Sequence, residues 1–140
     1  VGVVRFDLQL VDAPERAGGF AALVVAAEAG DSLPISRTDE PSRILDVAGW
    51  LTLHARLCDA ARAKARAASS VERTLARQLH IQAAACLEEA LKFYDEDNDL
   101  PPEDAFFTDA GRRQFRGHPE SFLRGRLVSL RAVLPVARQL

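Results

Sequence analysis

Apolar positions recur with a helical period through residues 42–94, and a single polar interruption divides the block. In the first half, Ile44, Val47, Trp50, Leu51, Leu53, His54, Leu57, Cys58 and Ala61 share one broad arc of a helical wheel, with Thr52, Arg56 and Asp59 opposite. An arc that wide can contact more than one neighbour. The interruption, Ser69-Ser70-Val71-Glu72, has the spacing of a capping box, in which the serine accepts from an orphan helix N–H and the glutamate reaches back. Beyond it, a second helix is predicted from about Ser70 to Tyr94, with Ala76, Ala83 and Ala90 down the middle of its apolar face. Leu75, Leu79 and Cys86 flank these alanines on one side, His80, Leu87 and Leu91 on the other. Small residues on a seam let helices approach closely, so that Trp50 and Leu57 can fill the gap. The pattern predicts an antiparallel helical hairpin over 40–95, starting at Glu40 or Pro41, rather than one rod. Glu88 and Lys92 are expected to pair on its outer face.

The flanks read differently. Val4, Phe6, Leu8 and Leu10 alternate with Arg5, Asp7 and Gln9, the period of a half-buried strand. Phe20 to Glu28 is apolar on both faces, which fits a covered strand or a buried helix. The strand is preferred, and with the turn residues of Pro14 to Gly19 it gives a β-hairpin within 1–30. Two strands are marginal alone, so this hairpin should pack on the helices or pair with another chain. Residues 96–118 are expected to form an acidic-then-basic loop with at most a short helix. Pro119 then opens a C-terminal helix within 119–140, with Leu123, Leu127, Leu130 and Leu134 on one side and an arginine stripe of Arg124, Arg131 and Arg138 along its flank. Pro135 should kink or end it. The expected fold is therefore α+β, mainly α: one domain with an N-terminal β-hairpin, a helical hairpin and a terminal helix, resembling a three-helix bundle.

Composition changes this picture little. A chain of 140 residues, 48% hydrophobic and 27% charged, can bury one core without disulfides or metal. No apolar run approaches the ~20 residues that span a bilayer, and no basic region precedes Phe20 to Ala27, which excludes a signal peptide there. The chain opens on Val1 and contains no methionine, which points to a processed or trimmed start. The hairpin register separates Cys58 from Cys86 by roughly 10 Å along the axis, too far for a disulfide. Both are expected as buried free thiols, which favours a reducing, cytoplasmic setting. The net charge of −2 hides a segregation: seven acids and no base in 95–110, then seven arginines against Glu120 alone in 111–140.

Three constellations could carry chemistry, and two further stretches resemble parts of known folds. Asp95, Asp97 and Asp99 have the alternating acids that open an EF-hand loop, but Leu100, Pro101 and Phe106 stand where the turn glycine, the next position and the bidentate glutamate belong. A solvated acidic loop is the better reading, with an arginine partner drawn from 112–116. His54 and Cys58 lie four apart on one face, and the register brings His80 opposite, so three soft or borderline metal ligands could converge. Structural core histidines are the simpler alternative. Arg112 and Arg113 precede His118 at R-x5-H and R-x4-H spacing, which superficially resembles the arginine–histidine motif of HEPN ribonucleases. That resemblance implies a helical bundle in which those residues act on an RNA phosphodiester; it covers seven residues, and Arg113 departs from the usual small polar residue. Ala83 to Tyr94 is similar to the second helix of a tetratricopeptide repeat, without a repeating period. Thr108 to Arg112 resembles the segment after the wing of some winged-helix repressors, but nothing upstream supplies the rest of that domain.

No serine has a histidine or glycine-elbow context, and Gly18-Gly19 lacks the Lys-Ser/Thr of a phosphate loop. The expected function is a non-catalytic protein–protein interaction or assembly module, without a cofactor, meeting a protein partner or itself through Arg124, Arg131, Arg138 and the acids Asp95, Asp97 and Asp99. The alternatives are a HEPN-like ribonuclease using Arg112 or Arg113 with His118, a metal-dependent hydrolase using His54 and His80, and a nucleic-acid binder through its arginine-rich end. The mildly acidic whole disfavours the last, and no membrane association is expected.

Overall fold

In a computed structural model, residues 19–30, 33–35, 38–66 and 69–134 are described. The elements among them are helices: α1 (Gly19–Glu28), α2 (Val47–Ala65), α3 (Ser70–Leu91), α4 (Asp109–Gly117) and α5 (Arg124–Ala132), with 3-10 helices at Glu103–Ala105 and Pro119–Phe122. None is long and apolar enough to cross a membrane.

The expected β-hairpin is overturned where it can be checked. Phe20 to Glu28 is helical, and no strand occurs among the described residues. The proposed partner strand, 4–10, lies outside them. The physical reason is propensity: Ala21, Ala22, Ala26 and Ala27 lower the cost of helix and raise that of strand. Burial follows helical spacing, with Leu23, Val24, Ala26 and Ala27 inside and Val25 exposed. Gly30 closes the helix at φ +87°, the left-handed conformation that a C-terminal glycine adopts without steric cost.

The helical hairpin is present. α2 and α3 pack along their lengths and bury Val47, Trp50, Leu53, Leu57 and Ala61 against Ala76, Leu79, Ala83, Cys86 and Ala90. Ser69 caps α3, accepting from the Val71 N–H at 3.2 Å. Glu72 pairs with Lys64 across the turn at 3.6 Å, and Lys64 also meets Glu28 of α1. The pairing differs from expectation: Lys92 reaches the buried Glu89 at 2.5 Å, while Glu88 holds Arg131 at 2.7 Å.

α2 starts later than Pro41 because Ser42 Oγ accepts from the Ile44 and Leu45 N–H groups, a local turn that competes with helix. The cap is Asp46, whose Oδ1 accepts from the Gly49 N–H at 2.8 Å. Its Oδ2 accepts from the Thr108 N–H at 3.1 Å and the Thr108 hydroxyl at 2.8 Å, and Thr108 in turn caps α4 by accepting from the Gly111 N–H. One buried carboxyl group thus ties together the N-termini of two helices, whose dipoles both favour negative charge there.

The C-terminal helix is shorter than expected. Pro119 opens a 3-10 helix, Leu123 is extended, and α5 runs only from Arg124 to Ala132. Phe106 stacks on Phe115 at 4.4 Å, and Phe122 meets both edge-on. The Tyr94 hydroxyl donates to the Phe122 carbonyl at 2.6 Å. α5 buries Leu127 and packs on α3, which leaves a cleft between α5 and α2.

Candidate functional site

That cleft is a groove of about 480 Å³. α2 contributes Leu51, His54, Ala55, Cys58, Asp59 and Arg62, α3 contributes His80, and the α5 side contributes Arg126, Leu130, Val133 and Leu134. Hairpin geometry explains the first set: residues at i, i+4 and i+8 of a helix share a face. The groove therefore unites His54, Cys58 and His80, as the register implied, with arginines and leucines that were not grouped with them in the sequence.

Its polar groups are set by their neighbours. His54 is 7% exposed. Its Nδ1–H donates to the Ala83 carbonyl at 3.4 Å, which leaves Nε2 able to accept from the Cys58 thiol at 3.9 Å. Burial lowers the His54 pKa; the Ala83 bond opposes this and the Arg126 charge adds to it. Burial likewise lowers His80, helped by Arg62. Burial raises the Cys58 thiol, with Arg62 opposing and Asp59 adding. Both imidazoles and the thiol are thereby held in their neutral forms near pH 7. Arg62 pairs with Asp59, and Arg126 donates to the Ser121 carbonyl at 2.9 Å.

These shifts set a direction for stability against pH. An unfolded histidine takes up its proton near pH 6.5, whereas His54 and His80 hold out to lower pH when folded. Their contribution is complete above that value and declines as pH falls through the folded values. Urea midpoints should fall between pH 7.5 and pH 5, and His54→Gln should flatten that fall. A midpoint unchanged over the interval would contradict the assigned environments.

The other sequence candidates sit elsewhere. Among the described residues no three His, Cys, Asp or Glu side chains form a metal-binding group, so His54, Cys58 and His80 share a groove without a metal's coordination geometry. His118 ends α4, is exposed and lies 3.4 Å from Glu120. Arg112 pairs with Asp109 and donates to the Phe106 carbonyl, while Arg113 is exposed. The small cleft beside Arg112 is formed with Glu103, Phe106, Phe115 and Arg116 and does not include His118.

The acidic loop is answered by Arg124 rather than by 112–116. Arg124 donates to the Asp95 and Asn98 carbonyls, its own N–H donates to the Asp99 carbonyl at 2.8 Å, and its guanidinium lies over the Tyr94 ring. The side chains of Asp95, Asp97 and Asp99 stay on exposed residues. Of the arginine stripe, Arg124 and Arg131 are thus engaged within the chain, and Arg138 lies outside the described residues. Comparisons with protein-family models, with curated proteins and with solved structures found no match.

Proposed function

We propose that this chain is a non-catalytic helical binding module whose recognition surface is the groove between α2 and α5. The observation that carries this is the convergence of Leu51, Leu130 and Val133 with a few polar groups around one ligand-sized concavity. Val133 is 62% exposed there, apolar surface that a bound group would cover. The absence of activated groups supports a binding role over a catalytic one. Cys58 is held as a thiol, not a thiolate nucleophile. Asp59 is paired with Arg62 and does not orient either histidine as a base would require.

A photoreactive amino acid placed at Ala55, inside the groove, tests this against one at Thr74, an exposed position of α3 outside it. Irradiation in native lysate should give a discrete adduct, resolved by intact mass, from position 55 alone. Equal labelling from both positions, or none from position 55, would overturn the assignment.

A further inference from the structure

We propose that the α2–α5 groove holds a small monocarboxylate with an apolar tail, its carboxylate against the Arg126 guanidinium and its tail along Leu51, Leu130 and Val133. The inference rests on the groove being the recognition surface and adds the chemical class of its occupant. Charge complementarity selects that class. Of the described groups facing the groove, Asp59 and Arg62 of α2 neutralise one another, while His54 and Cys58 of α2 and His80 of α3 are uncharged near pH 7. Among the described residues Arg126 of α5 remains as one uncompensated positive charge, which one carboxylate matches. A dianionic phosphate would leave one negative charge unmatched, and a cation or metal ion would meet the positive Arg126.

Geometry agrees with charge. Arg126 spends one N–H on the Ser121 carbonyl, which orients it, and a guanidinium has five donors in a planar fork that suits a carboxylate. The volume of about 480 Å³ lies at the lower end of ordinary ligand cavities. Leu51, Ala55, Leu130, Val133 and Leu134 give the tail an apolar wall. A carboxylate seated there would offset the Arg126 charge felt by His54 and add negative charge to the groove that His80 also lines, so binding and histidine protonation should be linked.

The test is an NMR titration of the ¹⁵N-labelled chain with octanoate, and in parallel with 1-octanol, which has the same tail and no charge. Octanoate should shift the amides of Ala55, Cys58, Arg126 and Val133 saturably, bind at least about tenfold more tightly than octanol, and raise the pH midpoints of the His54 and His80 ring protons. Arg126→Gln, a change at an exposed side chain, should abolish the preference for octanoate and the histidine shifts together. Equal binding of acid and alcohol would overturn the proposal while leaving the groove as a recognition surface. Absence of a saturable octanoate shift at millimolar concentration would also overturn it. In either case, adduct formation from position 55 decides separately whether the groove binds anything.

Discussion

Asp46→Ala is expected to destabilise the fold by about 3–5 kcal/mol, through the loss of charge-assisted hydrogen bonds and of a helix cap. The side chain is 1% exposed and accepts from the Gly49 N–H, the Thr108 N–H and the Thr108 hydroxyl. Alanine would leave those donors in a space too enclosed for free hydration. Asp46→Asn should do little better: its oxygen can serve one side, but its NH2 then faces donors on the other. A urea-unfolding midpoint compared with Thr52→Ala, on the same helix, measures the effect.

Gly111 makes the same node testable a second way. A β-carbon there would lie 2.3 Å from Asp46 Oδ2 and 2.9 Å from Thr108 Oγ1, so Gly111→Ala must displace the carboxyl group. Once Asp46 is alanine, the added methyl should cost far less. The two changes should therefore be strongly non-additive in a double-mutant cycle. Additivity would mean that Asp46 does not join α2 to α4.

Trp50→Ala is expected to cost about 3–5 kcal/mol, the range for emptying a large buried aromatic site. Trp50 is fully buried on α2, which packs along the alanine-bearing α3, where small side chains leave few atoms able to collapse into a void. Its indole Nε1 has no hydrogen-bond partner among the described residues. Trp50→Phe removes that desolvated donor together with part of the ring, and should cost only about 1–2 kcal/mol. Thermal or urea unfolding of both variants checks the pair. Equal losses would indicate that the indole nitrogen is satisfied and that the seam is less tightly packed than described.

The helical hairpin was legible because its determinants are local: the Ser69 cap, the alanine period and the arc around Trp50. The grouping of His54, Cys58 and His80 followed from that register alone. Phe20 to Glu28 is ambiguous in the sequence because an apolar stretch without clear periodicity fits either element. There, the alanine content was the deciding signal. The Asp46 node is not legible locally because its partner Thr108 lies 62 residues away. The Asp46-x-x-Gly49 cap also lacks the glutamate that makes a capping box conspicuous. The far wall of the groove was illegible for the same kind of reason. Only the docking of α5, through Leu127 and the Arg131–Glu88 pair, places Arg126 and Val133 opposite His54.

The openness of that groove can be measured directly through its thiol. Cys58 lines it and is partly exposed, whereas Cys86 is fully buried in the hairpin. Under native, mildly alkaline conditions a disulfide reagent should modify one thiol per chain, identified as Cys58 by its persistence in Cys86→Ser. Ala55→Trp, which places an indole in the cleft, should slow that reaction about tenfold at a given pH, since the reagent must enter the groove to reach the thiolate. A Cys58 that stays inert as pH is raised far enough to ionise it in the folded protein, or that reacts as fast in Ala55→Trp as in the parent, would contradict an open groove between α2 and α5.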